Sequence, residues 1–228
     1  MRGSLAASIL IAASAADAAV IPDFQHPALG AVADRMHTMA VQVVASGGGE
    51  KVNVASGVLA GDGIVLTDLN AVLQQGDGGL PEPAGEIAVL TTKGVFPARI
   101  IGAAPDVDVA VLELPLAARG IEGPPLADGP SASGDQLLAI RALKQGAELL
   151  FEAIGFSIAG ADGDADRLQS TSVLPLTFAG APVFDARGAL AGLLVSRNEH
   201  DGLLVPAARL RQILTRARTA VGQVYDHI

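Results

Sequence analysis

Short apolar runs, each closed by a glycine, proline or Asp-Gly turn signal, recur along this chain almost to its end. With 27 Gly and 13 Pro in 228 residues, such punctuation favours many short strands over a helical bundle. Val41 to Val44 and Val52 to Leu59 read as strands, and Gly61-Asp62-Gly63 turns the chain into a returning strand at Ile64 to Leu66. Ile87 to Leu90, a turn at Thr92-Lys93-Gly94, Val95 to Ile101 and Val109 to Leu114 continue the series. Pro115 to Pro125 reads as a connector, after which the style repeats. Strand candidates there are Gln136 to Ile140, Leu149 to Ile158, Arg167 to Leu174, a hairpin of Val183-Phe184 and Leu190 to Val195 around Asp185–Gly188, and Leu203 to Val205. Gln74 to Gly85 and the acidic stretch Ala161 to Asp166 read as loops. Two helices are expected: a short one near Ala28 to Met36, and one opened by Pro206 over Ala207 to Ala220, with Leu210, Ile213 and Leu214 on one face. The pattern on its own gives an all-β chain with a C-terminal α-helix and no more; its division into two halves closed by one helix suggests two packed β-barrels.

Composition narrows the function. Half the residues are hydrophobic and 17% are charged, which excludes disorder. A net charge of -9 argues against nucleic acid and anionic membrane surfaces as partners. The one basic group, Arg209, Arg211, Arg216 and Arg218, is expected near a helix C-terminus, where the dipole favours cations. Without cysteine there is no disulfide, thiolate nucleophile or Cys-based metal site. Arg2, the apolar run Leu5 to Ala16 and the small-x-small sequence Ala16-Asp17-Ala18 read as an export signal over residues 1–18, the alternative being an uncleaved membrane anchor; the run is short of the roughly 20 apolar residues of a membrane span. The expected layout is then an N-terminal arm at 19–40, a first barrel at 41–118, a second at 119–205, and a helix and tail at 206–228.

Several motifs resemble the trypsin-like protease domain of the Deg/HtrA type. Gly57-Val58-Leu59-Ala60-Gly61-Asp62-Gly63-Ile64-Val65-Leu66-Thr67 is similar to that family's G-V-I-I-x-x-x-G-x-I-V-T hairpin. Phe96-Pro97-Ala98-Arg99-Ile100-Ile101-Gly102 resembles F-P-A-x-V-V-G, and Asp106-Val107-Asp108-Val109-Ala110-Val111-Leu112 resembles D-x-x-x-D-L-A-V-L. Leu126-Ala127-Asp128, Gly134 to Ile140 and Leu203-Leu204-Val205-Pro206 resemble L-G-D, G-D-x-V-L-A-I and F-A-I-P. Together they cover roughly Val41 to Leu214. The resemblance implies a trypsin-like fold of two packed six-stranded β-barrels with a C-terminal α-helix. It implies no cofactor.

The departures point to a protease homologue without catalysis. The family's catalytic serine falls on Ala179 and its histidine on Asn70, while Asp108 matches the aspartate that orients the histidine. Alanine has no nucleophilic atom, and an amide is no general base near neutral pH. Losing either partner typically costs about 10⁶-fold in kcat. Thr177 replaces a glycine whose amide faces the oxyanion, so that device is expected to fail as well. Asp108 then serves as a structural carboxylate. The expected function is that of an exported binding or scaffold subunit, engaging a protein or peptide partner such as a membrane-associated envelope complex; the alternative is a hydrolase with displaced catalytic groups. Leu174, Leu176, Thr177 and Phe178, with Pro175, either line a peptide-binding cleft or fill the space left by catalysis. The chain ends at Ile228 without a PDZ module, so no PDZ-driven oligomer is expected. His26, His37, His200 and His227 fall on no motif position, and Ser170 and Ser172 have no base in sequence reach. Glu199-His200-Asp201 reads as a solvated loop, Gly76-Asp77-Gly78-Gly79 as a loop without a phosphate site, and the Asp162, Asp164, Asp166 alternation lacks the remaining ligands of a calcium loop; no metal site is expected.

Overall fold

The structure, a computed structural model, describes residues 9–12, 27–47, 52–76, 80–118, 120–162, 164–196 and 202–225. Most of Gly76 to Gly79, the Glu199-His200-Asp201 tip, and the side chains of Asp162, Asp164 and Asp166 lie outside them. So do His26 and His227, and the export signal apart from residues 9–12.

In chain order the elements are β1 (Ile9–Ala12), α1 (Pro27–Met36), β2 (Ala40–Ser46), β3 (Val52–Leu59), β4 (Ile64–Asp68), β5 (Leu73–Gln75), β6 (Pro81–Pro83), β7 (Glu86–Thr91), β8 (Gly94–Ala104) and β9 (Val109–Glu113). The second half adds β10 (Gln136–Gln145), β11 (Glu148–Asp162), β12 (Asp164–Ser170), β13 (Pro182–Phe184), β14 (Leu190–Ser196), β15 (Gly202–Pro206) and α2 (Ala207–Tyr225). Strands β2-β3-β4-β9-β8-β7 close the first barrel. The order β11-β10-β13-β14-β15-β12, with β12 paired back onto β11, closes a second six-stranded barrel, and β1 adds to the outside of β11.

Three apolar clusters hold this together. One lies within the first barrel, built on Val41, Val43, Val65, Val89 and Leu112. A second belongs to the other barrel, with Leu137, Ile154, Phe156 and Leu194. The largest joins the two: Val58, Leu66, Val109 and Val111 of the first barrel meet Ile140, Phe184, Leu193 and Val205 of the second, with both helices. Strands β4 and β9 are buried on both faces and therefore read as continuous apolar runs rather than alternating ones. Between β3 and β4 the hairpin at Gly61, Asp62 and Gly63 takes three successive left-handed residues, which is why glycine flanks Asp62.

Three expectations change. The loop at 74–85 contains a small sheet, β5 against β6, pinned where Asn53 Nδ2 donates to the Leu73 carbonyl at 2.7 Å. The acidic stretch at 161–166 is no open loop: β11 and β12 run through it, pairing Asp162 with Asp164. The strand read as Arg167 to Leu174 ends at Ser170, and Leu174 turns into the core. Leu29, Val32 and Ala33 of α1 are buried in the shared cluster, which holds that short helix against the barrels. Among the described residues no helix is long and apolar enough to cross a membrane.

Candidate functional site

Strand β4 ends on Asp68, a buried carboxylate that accepts the Asn70 amide at 2.8 Å and so caps a 3-10 turn over Leu69–Val72. Asn70 stands exposed on that turn. The Leu69 N–H donates to the Asp108 carbonyl at 2.8 Å, which brings the turn against the loop before β9. Asp108 itself is left-handed, with φ 57°. Its carboxylate takes Arg167 Nη2 at 3.1 Å, and the same nitrogen donates to the Asp106 carbonyl at 2.7 Å. Burial pushes the Asp108 carboxyl above its usual range; Arg167 pulls it down, while Asp68 and Asp106 add to the rise.

Ala179 is reached from the other barrel. A 3-10 turn over Leu176–Phe178 ends on it, with the Phe178 N–H donating to the Pro175 carbonyl and the Ala179 N–H to the Leu176 carbonyl, both at 2.9 Å. The next residues lock this turn to β3 and β14: Ser56 N–H donates to the Ala179 carbonyl at 2.9 Å and Gly180 N–H to the Leu194 carbonyl at 2.8 Å. Thr67 Oγ1, fully buried, donates to the Ser56 carbonyl at 2.6 Å. Gly180 has φ 77°, and a Cβ there would stand 1.9 Å from the Ser56 carbonyl oxygen. Only glycine fits that approach.

Arg141 of β10 completes the support. Its guanidinium lies 5.1 Å over the Phe178 ring, donates to the Thr177 carbonyl at 3.2 Å and pairs with Glu152 of β11.

The four residues expected in a cleft divide. Leu174 and Phe178 are buried in the core of the second barrel, at 3% and 1% exposure, whereas Leu176 and Thr177 face solvent. The space enclosed by residues 174–176, Phe178, Ala179, Leu194 and Val195 cannot hold a water molecule. Of the two alternatives, lining a cleft or filling space, the burial of Leu174 and Phe178 fits the second: bulky side chains, with Arg141 stacked on one of them, occupy that space.

The chemistry available here is limited. An oxyanion hole needs the amide of the nucleophile's own residue aimed at the developing charge. At Ala179 that amide is already given to Leu176. Among the described residues His37 carries the one imidazole, and its Nδ1 lies 2.9 Å from the Asp34 carbonyl with the ring edge-on to Phe151. Ser170 Oγ accepts the Ser172 amide at 3.1 Å, remote in partners from Asp108 and Ala179. No group of three His, Asp or Glu able to hold a metal occurs among the described residues. Sequence reasoning brought Asn70, Asp108 and Ala179 forward but missed Asp68, Arg141 and Arg167, whose partners are remote in sequence.

The profile of the trypsin-like peptidase domain matches residues 55–193, well over half of the chain. No curated protein matches it. Among solved structures, an inactive form of Rv3671c from M. tuberculosis H37Rv, a serine-to-alanine mutant, superposes with a TM-score of 0.63 at 20% identity, covering 85% of this chain and 94% of that one. The serine endoprotease from Yersinia pestis gives 0.64 at 19% identity, over 82% of this chain and 65% of the other. The HtrA-type protease AlgW with tripeptide gives 0.62 at 20% identity, over 81% and 61%. At such identities the structures speak for the fold, and the sequence profile speaks for the family. The chain belongs to the trypsin-like peptidase domain family.

Proposed function

We propose that this protein is a non-catalytic member of its family, an exported binding or scaffold subunit that engages a protein or peptide partner, such as a membrane-associated envelope complex. The observation that carries the reading is the state of the turn at Ala179. A methyl group stands at the position aligned with the nucleophile, and its amide is spent on the Leu176 carbonyl. Asn70 supplies no general base, and the Asp108 carboxylate faces Arg167 where a triad would present an imidazole. The filled pocket beneath residues 174–179 favours docking through outer surfaces over threading a peptide side chain into that space. Export is supported by the charged start, apolar run and small-residue site of residues 1–18.

Unfolded casein and a serine-reactive fluorophosphonate test this directly. The protein is expected to leave casein intact and take up no label. The double variant Asn70→His with Ala179→Ser is expected to stay silent too, because restoring two side chains frees neither the Ala179 amide nor Asp108 from Arg167. Casein turnover by the unaltered protein that disappears when one Ser or His is replaced would overturn the reading in favour of displaced catalytic groups.

A further inference from the structure

Closure of the second barrel leaves one strand edge open. β11 pairs with β10 along residues 148–157, but β12 joins its other side only from Ile158 onward. Over residues 148–156 the one strand on that outer edge, among the described residues, is β1, antiparallel and in register from Ile9 opposite Ala153 to Ala12 opposite Leu150. Apart from Glu148 and Glu152, the edge carries little of the usual protection. Glu148-Leu149-Leu150-Phe151-Glu152-Ala153-Ile154-Gly155-Phe156 contains no proline and no lysine, and its pairing with β10 runs without a bulge. Leu150, Phe151, Ala153 and Ile154 are buried, so the strand is held rigidly and offers its backbone outward as a template.

We propose that this edge of β11 is a strand-addition site, filled before export by the chain's own Ile9–Ala12 and, once residues 1–18 are removed, by an extended apolar segment of a partner polypeptide. The proposal rests on the export reading above. Apolar chemistry follows from the edge and from its first occupant: Leu5 to Ala16 carry no charge, Glu152 is already neutralised by Arg141, and a chain of net charge -9 repels an acidic strand. Glu152 sits one strand from Arg141, which bonds the Thr177 carbonyl, so an added strand would lie beside the closed pocket without entering it.

The test uses the full chain and a synthetic peptide with the sequence of residues 5–16. In the unaltered protein, amides around Leu150–Ala153 are expected to be protected from hydrogen exchange and the peptide not to bind. A Leu10→Pro/Ile11→Pro variant, whose own strand cannot pair, should exchange there about tenfold faster or more. It should bind the added peptide and regain protection, while a peptide carrying the same two prolines does not bind. Unchanged protection of β4 and α2 reports that the variant is folded. Equal exchange in both proteins, or peptide binding indifferent to the prolines, overturns the site. Protein recovered from the cell envelope and beginning at Ala19 supports replacement by a partner strand. A recovered protein that retains Ile9–Ala12 overturns that replacement, while the casein and fluorophosphonate assay judges the non-catalytic reading separately.

Discussion

At the scale of single residues Asp108 shows how a buried carboxylate is held in place by its neighbours. Its backbone is left-handed, which asparagine tolerates well, and its carboxyl is raised chiefly by burial. In the unfolded chain the group titrates at 3.8; in the native state it titrates higher. Below 3.8 both states are protonated and the group costs nothing. As pH rises through the native value, the unfolded chain ionises more readily, so stability is lost and stays lost at neutral pH. Asp108→Asn keeps an acceptor for Arg167 and removes that loss. The variant is expected to gain stability relative to the unaltered protein at pH 7 and to lose this advantage near pH 3, as read by urea unfolding at both values. A variant weaker at pH 7 than at pH 3 would mean that the Arg167 ion pair outweighs desolvation. The sequence pointed to a structural carboxylate here because no histidine was in place to be oriented. It could not name Arg167, 59 residues away, since nothing in a one-dimensional pattern marks which arginine returns to a given loop. The same holds for Arg141 and the Thr177 carbonyl, and it explains why the sequence left Leu174 and Phe178 between lining a cleft and filling space: their burial depends on neighbours that only the tertiary structure supplies.

Elements were more legible than their partners. Local alternation and turn chemistry placed most strands within a few residues, and the hairpins at 61–63 and 185–188 fell where glycine permits left-handed backbone. The failures share a cause. The acidic stretch at 161–166 pairs because β11 and β12 must close a barrel, an instance of tertiary context overriding weak local β-preference. The arginines of α2 were assigned to a helix C-terminus, yet Arg209 and Arg211 lie in its first two turns, where the dipole opposes them. They are tethers instead. Arg209 pairs with Asp106, Arg211 donates to the Ala127 carbonyl at 3.0 Å and Arg218 to the Ala60 carbonyl at 3.2 Å, tying the helix to the first barrel and the connector. Beneath them Leu210, Ile213, Leu214 and Ala217 form the apolar stripe at helical spacing. Leu210 is fully buried, so Leu210→Ala is expected to cost about 2–5 kcal/mol in urea unfolding. Arg218→Ala, which removes one exposed hydrogen bond, should cost about 1 kcal/mol or less. Equal losses would show that the polar tethers, rather than the apolar stripe, hold the helix.

At the scale of the whole molecule the question is whether two barrels make one folding unit or two. The linear sequence suggests two, with a proline-rich connector between halves of similar style. The packing says otherwise, because the outer faces of β3, β4 and β9 are buried against the second barrel and α2 lies across the seam. Val58, Ile64, Leu66, Val109 and Val111 gain their burial from residues beyond the connector, at about 1.5–3 kcal/mol for each large side chain. Neither barrel could separate without exposing that whole surface. Closed strands and a shared core also explain how the fold holds with the space beneath residues 174–179 filled: the inter-barrel contacts hold the molecule together. The slowest-exchanging amides of β4 and β9 and those of β10 and β13 are therefore expected to report one common opening free energy, within about 1 kcal/mol. Leu66→Ala, a change confined to the first barrel, should lower protection in both by the same amount, about 2–5 kcal/mol. Protection that falls only in the first barrel would establish two independent units joined by a connector, and would move the source of stability from the seam to the individual barrels.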